Sequence, residues 1–383
     1  MKRSPGICLL LFLLTIILSC SSTAKKKPAA ADPPVQLQPG KFYESIASLS
    51  DPSVTYALYI PSDYTHSKKF PVVVLFDPHA KGTIPVKRFQ DLAEKYRFIL
   101  IGSNNSENGQ PTEETSRIVS ALWNELENRY SVDQRMIYTS GFSGGSRIAS
   151  MLAMFMGGIR GVIACGAGLP TTDKPSSNHF DYFGIVGNAD FNMWEMRDLE
   201  KNLRSSLPGR QAGGIRHALL IFNGIHGWPD AEVYEKAIQW QLLNAMDDTI
   251  IPSDPKVRMD FSEGWTRLER KGIIIKPSLE DEKIHDKELA LQNKFAEAFY
   301  SKDIGWWQRQ IRQLKSIKGV PPGDTLMNHR LASYIGLLCY SVSHRALAAR
   351  NSELLENTIK VYELIEPQNT EIPKLKEQLK TLR

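Results

Sequence analysis

The stretch Met136-Ile137-Tyr138-Thr139-Ser140-Gly141-Phe142-Ser143-Gly144-Gly145-Ser146-Arg147-Ile148-Ala149-Ser150-Met151-Leu152-Ala153-Met154 decides the fold. Its first four residues are apolar and β-favouring, and its last nine are small or mostly unbranched and favour a helix. Between them Gly141-Phe142-Ser143-Gly144-Gly145 fits G-x-S-x-G, a pattern in which a serine sits on a turn so tight that the residues two places away must be small. The pentapeptide alone is a weak signal. Strand, tight turn and helix around it are the context in which it carries chemistry, because the turn lifts a hydroxyl above a sheet edge.

Outward from this point, strand signals recur at Phe42-Ser48, Val54-Ile60, Val72-Phe76, Phe98-Gly102, Gly161-Cys165, Tyr182-Val186 and Ala218-Phe222. Several are short and uniformly apolar, as in strands covered on both faces. Helical spacing lies between them, with Ile118, Leu122 and Leu126 on one face and Val233, Ala237 and Trp240 on another. Two hairpin-like strands followed by strand–helix repeats predict an α/β domain over residues 40–250 with a mostly parallel central sheet.

A serine hydroxyl needs a base, and the base needs a group that orients it. After Tyr182-Val186 come Gly187-Asn188-Ala189-Asp190, which set a carboxylate just past a strand end. After Ala218-Phe222 come Asn223-Gly224-Ile225-His226-Gly227-Trp228, a histidine flanked by glycines beyond the last strand. Ser143, Asp190 and His226 are therefore the catalytic candidates. Asp190 also suits a helix N-cap. Asp181 and Asp198 are rival acids, and His79, His179 and His217 are rival bases. Trp194 and Trp228 are candidates to line a substrate site, with plain core packing as the alternative.

The segment Val132-Asp133-Gln134-Arg135 through Gly145, with its V-D-x-x-R lead-in, resembles the elbow of the polyhydroxybutyrate depolymerase and feruloyl esterase group of α/β-hydrolases. The resemblance extends to the G-x-x-D turn and the His226-Gly227-Trp228 segment. It covers about residues 40–246 and none of the C-terminal part. It implies an α/β-hydrolase fold and hydrolysis of carboxylic esters with Ser143 as nucleophile, Asp190 as acid and His226 as base. An oxyanion hole is implied at the backbone N–H of Gly144, with a second donor after the third strand. The chain departs from the family there, carrying Asp77-Pro78 in place of His-Gly. His79 takes the position of the second donor, with Ala80 as the alternative, since Pro78 has no N–H. No metal and no organic cofactor are implied. The short connection expected after Cys165 leaves no room for a helical lid, so an open, lidless site is expected, suited to bulky or polymer-attached esters.

The N-terminus reads as a targeting segment. Lys2 and Arg3 precede an apolar run, Ile7 to Leu18, too short for a comfortable membrane span. It ends at Ile17-Leu18-Ser19-Cys20, which resembles a bacterial lipoprotein signal over residues 1–20 with lipidation at Cys20. The alternative is an ordinary signal cut near Ala29-Ala30-Ala31. Residues 21–39 are rich in Ser, Lys, Ala and Pro and read as a tether. The expected location is the bacterial cell envelope, periplasmic or at the outer membrane, with the membrane met through the lipid on Cys20. The net charge of +5 includes Lys25-Lys26-Lys27, and nothing argues for nucleic acid. Of four cysteines, Cys8 and Cys20 belong to the signal, and Cys165 and Cys339 read as buried free thiols.

Residues 254–383 change character and predict an all-α region. Leu331, Ile335, Leu338 and Val342 share a helical face, as do Leu355, Ile359 and Tyr362. Asn351 to Thr370 resembles a tetratricopeptide repeat, although the period of about 34 residues is not clear. The other reading is an irregular helical appendage on the hydrolase domain. This region is expected to contribute no chemistry. Its apolar stripes need burial on the hydrolase domain or on a protein partner. Two further functions stay open beside the esterase: a non-catalytic binding lipoprotein that docks a partner on its helices, and a serine peptidase using the same three residues.

Overall fold

In the computed structural model, which describes residues 37–170, 178–205, 215–276, 279–316 and 322–383, eight strands form one sheet. They are β1 (Phe42–Ala47), β2 (Thr55–Tyr59), β3 (Phe70–Phe76), β4 (Ile99–Ser103), β5 (Val132–Phe142), β6 (Gly161–Cys165), β7 (Asp181–Gly187) and β8 (His217–Phe222). Their order is β1-β2-β4-β3-β5-β6-β7-β8. β1 pairs with β2, and β2 with β4, in antiparallel fashion, and every later pairing is parallel. The parallel strands therefore all end on one edge of the sheet, the edge at which open α/β sheets place their ligands. The expected segment 1–20, with Cys20, and most of the expected tether lie outside the described residues. Among the described residues no helix is long and apolar enough to cross a membrane.

Val72, Val73, Val74, Leu75 and Phe76 of β3 are all fully buried, since both faces of the sheet are covered. α2 (Thr112–Asn128), α3 (Gly144–Phe155) and α4 (Met193–Ser205) pack on one face, and α1 (Thr83–Tyr96) and α5 (Ala231–Asp247) on the other. Side chains buried this fully contribute roughly 1.5–3 kcal/mol each. β5 is longer than the expected Met136–Thr139. It begins at Val132 through a register shift opposite Phe70 and Val72. There Asp133 and Arg135 form a local ion pair at 2.8 Å, so the polar lead-in is the exposed foot of a strand.

The helical region comprises α6 (Pro255–Arg270), α7 (Leu279–Ala298), α8 (Ile304–Lys315), α9 (Pro322–Ala348), α10 (Ser352–Ile365) and α11 (Glu371–Leu382). α6 begins at Asp254, whose carboxylate accepts from Lys256 N, with Pro255 in the first turn. Its Leu268 joins the sheet-side core of α1 and α5, so this first helix belongs to the packing of the α/β part. The following residues cover the edge of β8: Asn223 N donates to Ile273 O and Ile275 N to Ile221 O. Shielding of this kind removes an exposed edge strand. Leu331, Ile335, Leu338, Val342, Leu355, Ile359 and Tyr362 meet in a separate apolar core of α7–α11. Helix lengths of 20, 12, 27, 14 and 12 residues give no regular pairing of like helices. Cys165 and Cys339 are buried free thiols, and burial pushes both well above the ordinary thiol range.

Candidate active site

β5 lies in register beside β3, with Gly141 opposite Phe76, and the chain reverses at Ser143 into α3. Ser143 has φ +53° and ψ −119°, a region that costs a non-glycine residue about 1–3 kcal/mol. The flanking glycines are required by close approach. A Cβ on residue 141 would lie 2.2 Å from the Gly145 backbone, and one on residue 145 would lie 2.0 Å from Phe76 O. Ser143 N donates to Cys165 O at 2.8 Å, which ties the turn to the next strand. The strain is thus held by packing on β3 and β6.

The three catalytic candidates meet at this turn. His226 Nε2 is 3.0 Å from Ser143 Oγ and His226 Nδ1 is 2.8 Å from Asp190 Oδ2. With Asp190 ionised, the tautomer that satisfies both contacts carries its proton on Nδ1 and accepts from the serine hydroxyl at Nε2. Asp190 is 1% exposed. Its Oδ1 also accepts from Asn192 N at 2.8 Å, so the carboxylate fixes its own turn into α4 as well as the imidazole. The imidazole lies between Phe142 and Phe191, with ring centroids 4.5 and 4.2 Å away.

Strand polarity separates the rivals. Asp181 and His217 stand at the starts of β7 and β8, on the opposite sheet edge. Asp181 pairs with Arg216, and His217 with Glu200. Asp198 faces His285 at 3.3 Å, and His179 is exposed. His79 is near the site, yet its side chain is 67% exposed and turned toward Asp77.

Two expectations need correction. Trp194 does not line the site. It is 5% exposed, donates from Nε1 to Glu288 Oε2 at 2.8 Å and stacks on His285, because α7 docks on α4 over it. Trp228 does stand beside the site, 6.0 Å from the Phe142 ring, with Nε1 donating to Asp77 Oδ2 at 2.8 Å. His79 N is not free for an oxyanion. It donates to Asp77 Oδ1 at 3.0 Å, and Ala80 N donates to Ser106 O at 3.0 Å. Pro78 has no N–H, so the first N–H after Asp77 is that of His79, and the Asp77 carboxylate accepts it. α9 runs along the flank of the site, with Tyr334 6.5 Å from the Phe191 ring. The apolar stripe of α9 had to be buried, and the side chains beside that stripe face the acid turn.

Gly144 opens α3, so its N–H has no intrahelical partner and adjoins the Ser143 hydroxyl. The Asn108 amide oxygen occupies the place where a Cβ on residue 144 would stand, 1.7 Å from that point. This carboxamide has no hydrogen-bond partner among the described residues, and a half-turn exchanges its oxygen for its NH₂. Asn108 gave no signal in the sequence, because it follows β4 in a polar loop far from the elbow. Phe142 and Phe191 were legible only as neighbours of Ser143 and Asp190. Among the described residues no group of three or more His, Cys, Asp or Glu could hold a metal ion.

No family model and no curated protein matches the chain. Solved structures that share part of its course include an S-formylglutathione hydrolase from Staphylococcus aureus, 12% identical, covering 54% of this chain and 98% of that one with a TM-score of 0.41. A ferulic acid esterase is 16% identical and covers 54% and 97%, with a TM-score of 0.40. An esterase from Pyrobaculum calidifontis is 14% identical and covers 55% and 86%, with a TM-score of 0.38. The fold itself is read from the strand order and the elbow. It is the α/β-hydrolase fold. In this hydrolase-fold chain the elbow follows β5, the carboxylate follows β7 and the imidazole follows β8.

Proposed function

We propose that the protein is an exported serine hydrolase that cleaves carboxylic esters through an acyl-enzyme. The observation that supports this best is the hydrogen-bonded chain Ser143–His226–Asp190 on a strained elbow. Strain at such a position is stored where function uses it. His226 Nε2 takes the Ser143 proton as Oγ bonds to the ester carbonyl carbon. The carbonyl π pair moves to oxygen, and the Gly144 N–H faces that oxyanion. Each such donor is worth about 2.7–4 kcal/mol in comparable enzymes. The C–O bond to the alcohol then breaks, with the proton delivered from Nε2. Water repeats the sequence on the acyl-enzyme. Asp190 keeps the imidazole oriented and stabilises its charged form. Phe142, Phe191 and Trp228 give the site an aromatic wall suited to an apolar acyl or aryl group.

The test is a soluble chain from Val35 onward, assayed on short-chain, feruloyl and peptide chromogenic substrates. Ester turnover should fall by about 10⁴-fold or more in Ser143→Ala, with the thermal midpoint little changed. It should also fall in acid, where a protonated imidazole accepts no proton. Absence of ester turnover together with no labelling of Ser143 by a fluorophosphonate would remove the enzyme reading, and turnover of peptides alone would make it a peptidase. The proposal includes a lipid on Cys20 and a place in the cell envelope, supported by the charged and apolar pattern that precedes that residue. Replacing Cys20 with Ser should abolish incorporation of labelled palmitate, and continued incorporation would remove the anchor.

A further inference from the structure

A guanidinium and a carboxylate are buried where the helical region meets the acid turn. Arg330 on α9 is 1% exposed and Glu288 on α7 is 0% exposed. Arg330 Nε and Nη2 donate to Glu288 Oε1 and Oε2 at 2.9 and 2.7 Å. Trp194 Nε1 donates to the same carboxylate, and the guanidinium lies 5.5 Å from the Trp194 ring. Arg330 Nη1 points elsewhere and donates to the carbonyl of Asn188 at 2.7 Å. Asn188 is two residues before Asp190. Its own Oδ1 accepts from Gly224 N at 3.1 Å, and Ala189 N donates to Gly224 O at 2.9 Å. Arg330 therefore grips the residue that joins the acid turn to the foot of the histidine turn.

We propose that Arg330, oriented by Glu288, is a positioning residue for the Asp190–His226 pair, so that the helical region completes the active site. This rests on the ester-hydrolase reading above. Burying an ion pair is a poor way to glue helices together. Desolvation of both charges can exceed their attraction, and well-packed apolar residues often do as well or better. What the pair supplies and an apolar contact lacks is a directed donor at one carbonyl. Arg330 has the geometry for it: one edge of its planar fork is held by Glu288, which aims the remaining nitrogen. Loss of that donor leaves the Asn188 carbonyl buried without its charged partner and frees the turn that carries Asp190. A displacement on the scale of an ångström at a catalytic group can cost about 100-fold in rate.

The experiment uses the full mature chain with Arg330→Met, Arg330→Lys and the double variant Arg330→Met with Glu288→Met. Four quantities are read: kcat, KM, the thermal midpoint and the low-field proton resonance of His226 Nδ1, which reports the bond to Asp190 without turnover. Arg330→Met should lower kcat by about 100-fold, leave KM within a few-fold and shift or broaden the resonance. Arg330→Lys should recover part of kcat, since an ammonium can reach the carbonyl but not hold the bidentate grip. The double variant removes the unpaired buried charge but leaves Trp194 Nε1 and the Asn188 carbonyl without partners, so it should regain part of the thermal midpoint lost in Arg330→Met while kcat stays low. A double variant with both wild-type stability and wild-type kcat would overturn the proposal, because the pair would then be structural only. If the wild type itself hydrolyses no ester, the enzyme reading falls, and the resonance still decides whether Arg330 positions the imidazole–carboxylate pair. An unmoved resonance in a folded Arg330→Met protein would refute it.

Discussion

Ser143 holds a backbone conformation that side chains rarely adopt, and its hydroxyl is the proposed nucleophile. Glycine at this position relieves the strain, whereas alanine keeps it. Ser143→Gly should therefore match or exceed Ser143→Ala in thermal midpoint, both being inactive. A glycine variant clearly less stable than the alanine variant would mean that the elbow is unstrained. At the same scale, a second oxyanion donor beside the Gly144 N–H can be sought at Asn108 or at His79. The His79 and Ala80 N–H groups already have acceptors, whereas the Asn108 carboxamide beside Gly144 has none. Asn108→Ala should lower kcat by roughly 10²–10³-fold with little change in KM, the size seen for removal of a side-chain oxyanion donor. His79→Ala should keep most of the activity. The reverse ranking would return the second donor to the loop after β3.

The end of β3 is the element that shapes the other side of the site. Asp77 is buried at its tip and accepts from His79 N and Trp228 Nε1. Burial pushes this carboxyl up, and the hydrogen bonds from His79 and Trp228 outweigh it, so the group is held below its ordinary value. A lowered pKa means stability that is present above the unfolded-state value and is lost as pH falls through the folded one. The contribution of Asp77 should thus be complete at neutral pH and fade below about pH 4. Calorimetry at pH 7 and pH 3 should show a smaller acid-induced loss in Asp77→Asn than in the wild type, and an equal loss would mean that Asp77 is not the responsible group. At this scale the sequence was nearly transparent. Strands such as Val72-Phe76 and Gly161-Cys165 are short apolar runs whose local preference and burial agree. The exception was the foot of β5, where Asp133 and Arg135 hide a strand behind an ion pair.

At the scale of the whole molecule, the helical region is joined to the site rather than hung beside it. Arg197 and Lys201 on α4 pair with Glu282 of α7, Trp194 is enclosed by α7 and α9, and Tyr334 of α9 faces Phe191. A chain ending at Asp248 loses α6 from the core of α5 and loses every one of these contacts. It should fall by about 100-fold in hydrolysis of small esters even where it stays soluble and folded. Addition of residues 249–383 as a separate chain should restore part of the rate. A soluble, folded truncation with full activity would show the helices to be dispensable for chemistry.

The sequence by itself determined the elements and the three catalytic candidates. Each of those depends on local patterns: apolar runs for the strands, the small residues around Ser143, and the turns that put Asp190 and His226 just past strand ends. Parallel strand polarity then carries all three to one edge. The tertiary structure alone decided what surrounds them. Asn108 reaches Gly144 from the loop after β4, Asp77 takes the N–H expected for the oxyanion, Trp194 is covered by α7, and Arg330 meets Asn188 from 142 positions away along the chain. Such contacts leave no period or spacing in the sequence, because they arise where two separately patterned surfaces are packed against each other.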